Sequence, residues 1–179
     1  MGHSRRQRVE EIVARELALM LALLVVALAQ TTLLPRLSGV APNLMLLLAV
    51  CHGLVAGTAP AARWSFYGGL ALDLCAMSLL GSHSLALLAG VVVATWPLAR
   101  FRRGNWLVPI AGVALGGLAY HTVYALLTAL FVAGFEPAVY ALYAALPDIL
   151  IVLTPALPLY MALRWNQERT RRSVPVDVY

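Results

Sequence analysis

Residues 17–34 read LALMLALLVVALAQTTLL, with no charge anywhere and the polar side chains Gln30, Thr31 and Thr32 gathered at the far end. A helix of this composition is apolar on every face, so a water-soluble domain could not present any of its sides to solvent. About 20 mostly apolar residues suffice to cross the hydrocarbon core of a bilayer. The run is therefore read as a membrane-spanning helix, and the rest of the chain is organised around it.

Five further apolar runs follow, at residues 44–59, 64–80, 82–99, 105–134 and 138–163. The punctuation between them is consistent. Pro35, Ser38-Gly39 and Pro42 separate the first two runs, and residues 57–60 the next pair. Gly81-Ser82, then Arg102-Arg103-Gly104-Asn105, then residues 134–137 close the remaining gaps, all turn-forming chemistry. The sequence thus predicts an all-α, polytopic bundle of six transmembrane helices. It divides into an amphipathic interfacial segment over residues 1–16, a membrane domain over 17–163 and a basic cytoplasmic tail over 164–179. Bulk composition agrees: 61% of residues are hydrophobic and 12% charged, far from the balance of a soluble domain.

Charge fixes the expected orientation. All 13 basic residues are arginine. With the N-terminus in the cytoplasm, Arg36 alone falls outside, while Arg5, Arg6, Arg8, Arg15, Arg63, Arg100, Arg102, Arg103, Arg164, Arg169, Arg171 and Arg172 fall inside. That asymmetry is the positive-inside pattern, and it requires an even number of spans. Both termini are therefore expected in the cytoplasm. The net charge of +5 is not read as a nucleic-acid signal, because the arginines mark the ends of apolar runs rather than one face. Over residues 4–16, Val9, Ile12, Val13 and Leu17 follow helical spacing, with Arg6/Glu10 and Glu11/Arg15 four apart. This segment reads either as an amphipathic helix lying on the inner surface or as a charged extension of the first span.

Few ionisable groups lie inside the apolar runs, and each costs roughly 2.5–3.5 kcal/mol to insert. Beside Gln30 they are His52, Asp73, His121 and Asp148, with His83 near the outer surface. His52 and Asp73 are expected at similar depth on consecutive antiparallel helices, as are His121 and Asp148. Each half of the chain thus offers one His–Asp pair, which either pins two helices together or forms part of a proton or ion relay or of a polar pocket for a small substrate. Gly68-Gly69 and the Gly112-x-x-x-Gly116 repeat permit close helix approach, within the chain or to a docked partner helix. Pro147, Pro155 and Pro158 predict kinks in the last span. Trp64, Trp96, Trp106, Tyr140, Tyr143 and Trp165 read as interfacial anchors.

No catalytic Ser/His/Asp set, phosphate loop or zinc spacing is present, and Cys51 and Cys75 lie in apolar runs, so neither enzyme activity, cofactor nor metal is expected.

Taken in order, Gln30-Thr31-Thr32-Leu33-Leu34-Pro35, Pro42-Asn43-Leu44, Gly57, Gly68-Gly69-Leu70, Asp73-Leu74 and Leu80-Gly81-Ser82-His83-Ser84-Leu85-Ala86 resemble the rod shape-determining protein MreD family. The resemblance covers residues 17–100 best; the last two runs match in length and hydropathy. It implies a non-catalytic component of the bacterial inner membrane that binds the single-pass protein MreC. It further implies membership of the elongation machinery, with the glycosyltransferase RodA, a class B penicillin-binding transpeptidase and, indirectly, the actin-like MreB. The alternative is a substrate-binding membrane subunit of an energy-coupling vitamin transporter, which has a similar length and span number. The sparse polar set on the outer side, Arg36, His83 and Glu136, argues against it.

Overall fold

A computed structural model describes residues 3–33, 42–98 and 105–172, with side chains over 9–33, 42–98 and 105–169. The turn residues Pro35 and Ser38-Gly39, the Arg102-Arg103-Gly104 break, Arg36 and Arg100 lie outside the described residues, as does the tail after Arg172. Within them the chain is helical: α1 (His3–Thr32), α2 (Leu44–Ala56), α3 (Thr58–Ala76), α4 (Ser82–Leu98), α5 (Leu107–Phe131), α6 (Pro137–Tyr140) and α7 (Leu146–Arg172). A π-helical turn, Ala141–Ala145, fuses α6 to α7 into one rod. Three helical stretches, Val9–Thr32, Leu107–Phe131 and Pro137–Arg169, are long and apolar enough to cross a membrane.

The helix ends have local causes. Gly57, at φ +110°, makes the whole connection between α2 and α3, a conformation that side chains rarely adopt. Pro60, expected to separate the two, instead sits in the first turn of α3, where its missing N–H is not needed. Met77, in the left-handed region at φ 50°, stops α3 four residues before the end of its apolar run. α1 runs unbroken from His3, so the segment over residues 4–16 continues the axis of the first apolar run. Its 30 residues span about 45 Å, more than a ~30 Å hydrocarbon core.

Successive helices alternate in direction. Gly53 lies against Ala61 and Gly68 against Met45 across α2 and α3, and Gly69 against Ser84 across α3 and α4. Gly90 meets Gly116 between α4 and α5, and Gly117 meets Ile149 between α5 and α7. α2 is the hub, touching α1, α3, α4, α5 and α7. Its Met45, Leu46, Leu47, Val50, Cys51 and Leu54 are buried. α3, α4, α5 and α7 follow one another around it, while α1 packs on α2 and α3 and has no contact with α7 among the described residues.

The glycines let these helices approach closely. A Cβ on Gly69 would run into the Ser84 backbone, and one on Gly116 would stand 2.9 Å from Val50 Cγ2. Gly68 and Gly112 likewise face Met45 and Leu54, so all four candidate glycines point into the bundle. In lipid, where the solvent is as apolar as leucine, such close approach is a main source of helix association.

Candidate functional site

The short α2 places its first turn inside the bundle, where its free N–H groups need partners and water is scarce. Three side chains supply them. Asn43 caps the helix through Oδ1, which accepts from Leu46 N–H at 3.0 Å. Gln30, at the end of α1, accepts from Met45 N–H at 3.0 Å. Asp148, at the start of α7, accepts from Asn43 N–H at 2.8 Å through Oδ1.

The other oxygen of Asp148 lies 2.9 Å from His121 Nε2, and His121 Nδ1 lies 2.7 Å from the Tyr140 hydroxyl. With Nε2–H donating to the carboxylate, a neutral ring leaves Nδ1 to accept the tyrosine proton, and each group is used once. His121 and Asp148, expected as neighbours on consecutive helices, are thus brought together. Tyr140, read from sequence as an interfacial anchor, is the third member.

Asp73 has a different role from the one its depth suggested. It is 2% exposed and stands three residues before the end of α3. Its carboxylate gathers Ser78 Oγ at 2.9 Å, Gly81 N–H at 2.7 Å, Ser82 Oγ at 3.1 Å and His83 N–H at 3.0 Å. It organises the α3–α4 turn and puts a negative group at the N-terminus of α4, where free N–H groups and the helix dipole favour it. The expected His52–Asp73 pair is therefore corrected. His52 lies four residues before the end of α2, at the opposite end of the bundle from Asp73, and its ring stacks on Trp64 at 4.0 Å and 11°.

The two aspartate centres are joined. His83 Nδ1 lies 2.6 Å from the Tyr120 hydroxyl, which neighbours the Asn43 side chain. His83 stacks on Tyr124, 4.8 Å between centroids. A continuous chain of contacts thus runs Asp73, His83, Tyr120, Asn43, Asp148, His121, Tyr140. It ties α3, α4, α5, α2 and the α6–α7 rod together at one end of the bundle, and Gln30 adds α1. Asn43 was missed as a hub, although an asparagine directly before an apolar run is a helix-start signal. Tyr120 carried no signal of its own inside the apolar run of α5.

The network's chemistry is that of a clasp. Both oxygens of Asp73 and of Asp148 and both ring nitrogens of His121 are engaged, and among the described residues no group of three His, Cys, Asp or Glu gathers to hold a metal. Its outermost members, His121 and Tyr140, form part of the floor of an apolar cleft of about 650 Å³ between α5 and the α6–α7 rod. At the other end, Arg63 on α3 pairs with Glu16 on α1 at 2.7 Å. Set against family models, curated proteins and solved structures, the chain matches none.

Proposed function

We propose that this chain is a non-catalytic, six-span protein of the bacterial inner membrane, with both termini in the cytoplasm, that serves the cell-elongation machinery. In this reading it binds MreC and supports RodA and a class B penicillin-binding transpeptidase, with MreB engaged indirectly and cell shape as the output.

One observation carries the reading. The residues on which the family resemblance rests, Gln30, Asn43, Gly68-Gly69, Asp73 and Gly81 to His83, are the ones that cap and cross the helices at one end of the bundle. Motifs spent on holding helices together suit a scaffold rather than a reaction centre. What remains is a shell of apolar side chains, such as Leu21, Val25, Leu126 and Leu150, each more than half exposed. Such a shell suits contact with lipid and with the spanning helix of a partner. The arginine asymmetry supports the orientation.

The test is co-expression with the single-pass partner, followed by purification of both in detergent, together with depletion in a rod-shaped host. The expected results are co-migration and loss of rod shape. Separate migration with shape retained would sink the proposal.

A further inference from the structure

We propose that the cleft between α5 and the α6–α7 rod binds one hydrocarbon chain of a membrane lipid, taken from the leaflet on the side of the 132–136 turn. The inference rests on the chain lying in a bilayer, as proposed above, and is independent of which protein partner it has.

The cleft exists because two walls are built from small side chains. Ala125 and Ala129 of α5 face Ala141 and Ala145 of the π-helical turn, with Leu126 and Leu150 at the mouth. Both walls belong to stretches long and apolar enough to cross a membrane, so the mouth opens sideways into hydrocarbon rather than water. The volume is about 650 Å³. An apolar cavity of about 150 Å³ accepts one benzene, so this space holds roughly four times as many carbon atoms, the size of a lipid chain.

Its shape selects the occupant. At the lower end the cleft runs alongside the α5–α7 contact, where a Cβ on Gly117 would meet Ile149 Cγ1 at 2.9 Å, and reaches Ala114 and Leu150. At the upper end the turn after Phe131 joins the walls, and Phe135 packs on Tyr140 at 5.5 Å. From Ala114 to Ala129 the cleft runs about 22 Å along the helix. One leaflet of hydrocarbon is about 15 Å deep, half of a ~30 Å core. A space about 22 Å long, longer than one leaflet but short of a ~30 Å core, admits a chain lying along the helices. It does not admit a helix crossing the whole bilayer. The floor agrees, since both ring nitrogens of His121 and the hydroxyl proton of Tyr140 are already engaged, leaving no free donor for a charged headgroup.

The test uses the full chain purified in detergent and washed free of loose lipid. About one phospholipid per chain is expected to remain by phosphorus analysis. Ala125→Phe and Ala141→Phe fill the cleft from opposite walls, and losing even two methylene contacts weakens binding by more than about tenfold. Both variants are therefore expected to emerge lipid-free while staying helical and monodisperse. A second arm needs no filling variant. Phosphatidylcholine with brominated chains, titrated into washed protein, should quench the Leu126→Trp chain to saturation near one equivalent. The Leu21→Trp chain, altered on the open face of α1, should show only a gradual decline. Wild-type protein that is monodisperse yet lipid-free overturns the proposal, as does equal quenching of the two tryptophan chains. A co-purified helix that shields Leu126→Trp overturns it too. A chain soluble without detergent sinks the membrane reading itself, whereas a detergent-dependent chain with an empty cleft sinks only this inference.

Discussion

Asp148 does the work of two caps. It takes the Asn43 N–H that begins α2 and the His121 Nε2–H that ties in α5. Asp148→Ala leaves both donors unmatched in an environment without water, and the expected cost is about 2–4 kcal/mol in reversible unfolding from mixed micelles. Asp148→Asn keeps an acceptor for Asn43 N–H and should cost about half as much. Thr122→Ala is the control: its exposed hydroxyl bonds only Leu118 O on its own helix, so a change within about 0.5 kcal/mol is expected. A loss for Asp148→Ala no larger than for Thr122→Ala would remove the clasp argument. At this scale the sequence shows which residues are expensive but not whom they serve. Asp73 and His52 look paired because hydropathy extends the third run through residue 80, which centres Asp73 in the span. In the structure α3 ends at Ala76, so Asp73 is at a helix end, and its partners are turn N–H and hydroxyl groups that no depth argument can see.

Among the elements, the last rod departs most from its sequence reading. Pro155 and Pro158 lie within α7, whose helix continues through both. The disturbance gathers ahead of Pro147, where Leu146 N–H reaches back five residues to Ala141 O. Pro147 has no N–H to give Tyr143 O, and its ring crowds that carbonyl, so the turn widens by one residue. The extra residue rotates Tyr140 by about 100° relative to Asp148, toward His121. Removing the cause should undo the contact. Tyr140→Phe is expected to cost about 1 kcal/mol in the wild-type chain and under about 0.5 kcal/mol in a Pro147→Ala background. Equal costs in the two backgrounds would separate the π-helical turn from the network. The α3–α4 crossing gives a sharper case. The Gly69 Cβ position is filled by Ser84 backbone, which cannot swing aside as a side chain can. Gly69→Ala should therefore cost about 1–3 kcal/mol as overpacking. Gly68→Ala, against the flexible Met45, should cost less in the same unfolding assay. The sequence named both glycines but could not rank them, because rank depends on what stands opposite.

For the whole molecule, the contacts impose a parity that charge counting reaches independently. α1 runs with α3, as Glu16, midway along α1, meets Arg63 near the start of α3 while Gln30 and Gly68 farther along both meet Met45. α2 runs with α7, as Asn43 meets Asp148 and Cys51 meets Ala156. Since α1 and α2 are antiparallel through Gln30 and Met45, α1 begins and α7 ends at the same end of the bundle. That end carries Arg15, Arg63, Arg164 and Arg169, while the network end carries the buried aspartates. In a membrane with an electrochemical gradient, the arginine end should face the cytoplasm. Labelling decides it. In a chain with Cys51 and Cys75 replaced by Ala, Ala133→Cys in the turn between α5 and α6 should react with an impermeant maleimide in intact cells. Glu168→Cys near the end of α7 should react only after permeabilisation. The reverse pattern would invert the bundle, bring the network end inside and expose the arginine end to the outside. A partner engaged through a cytoplasmic machine would then meet the clasp rather than the arginines. The same pair of labels thus tests the orientation and, with it, which end of the helices is available to which partners.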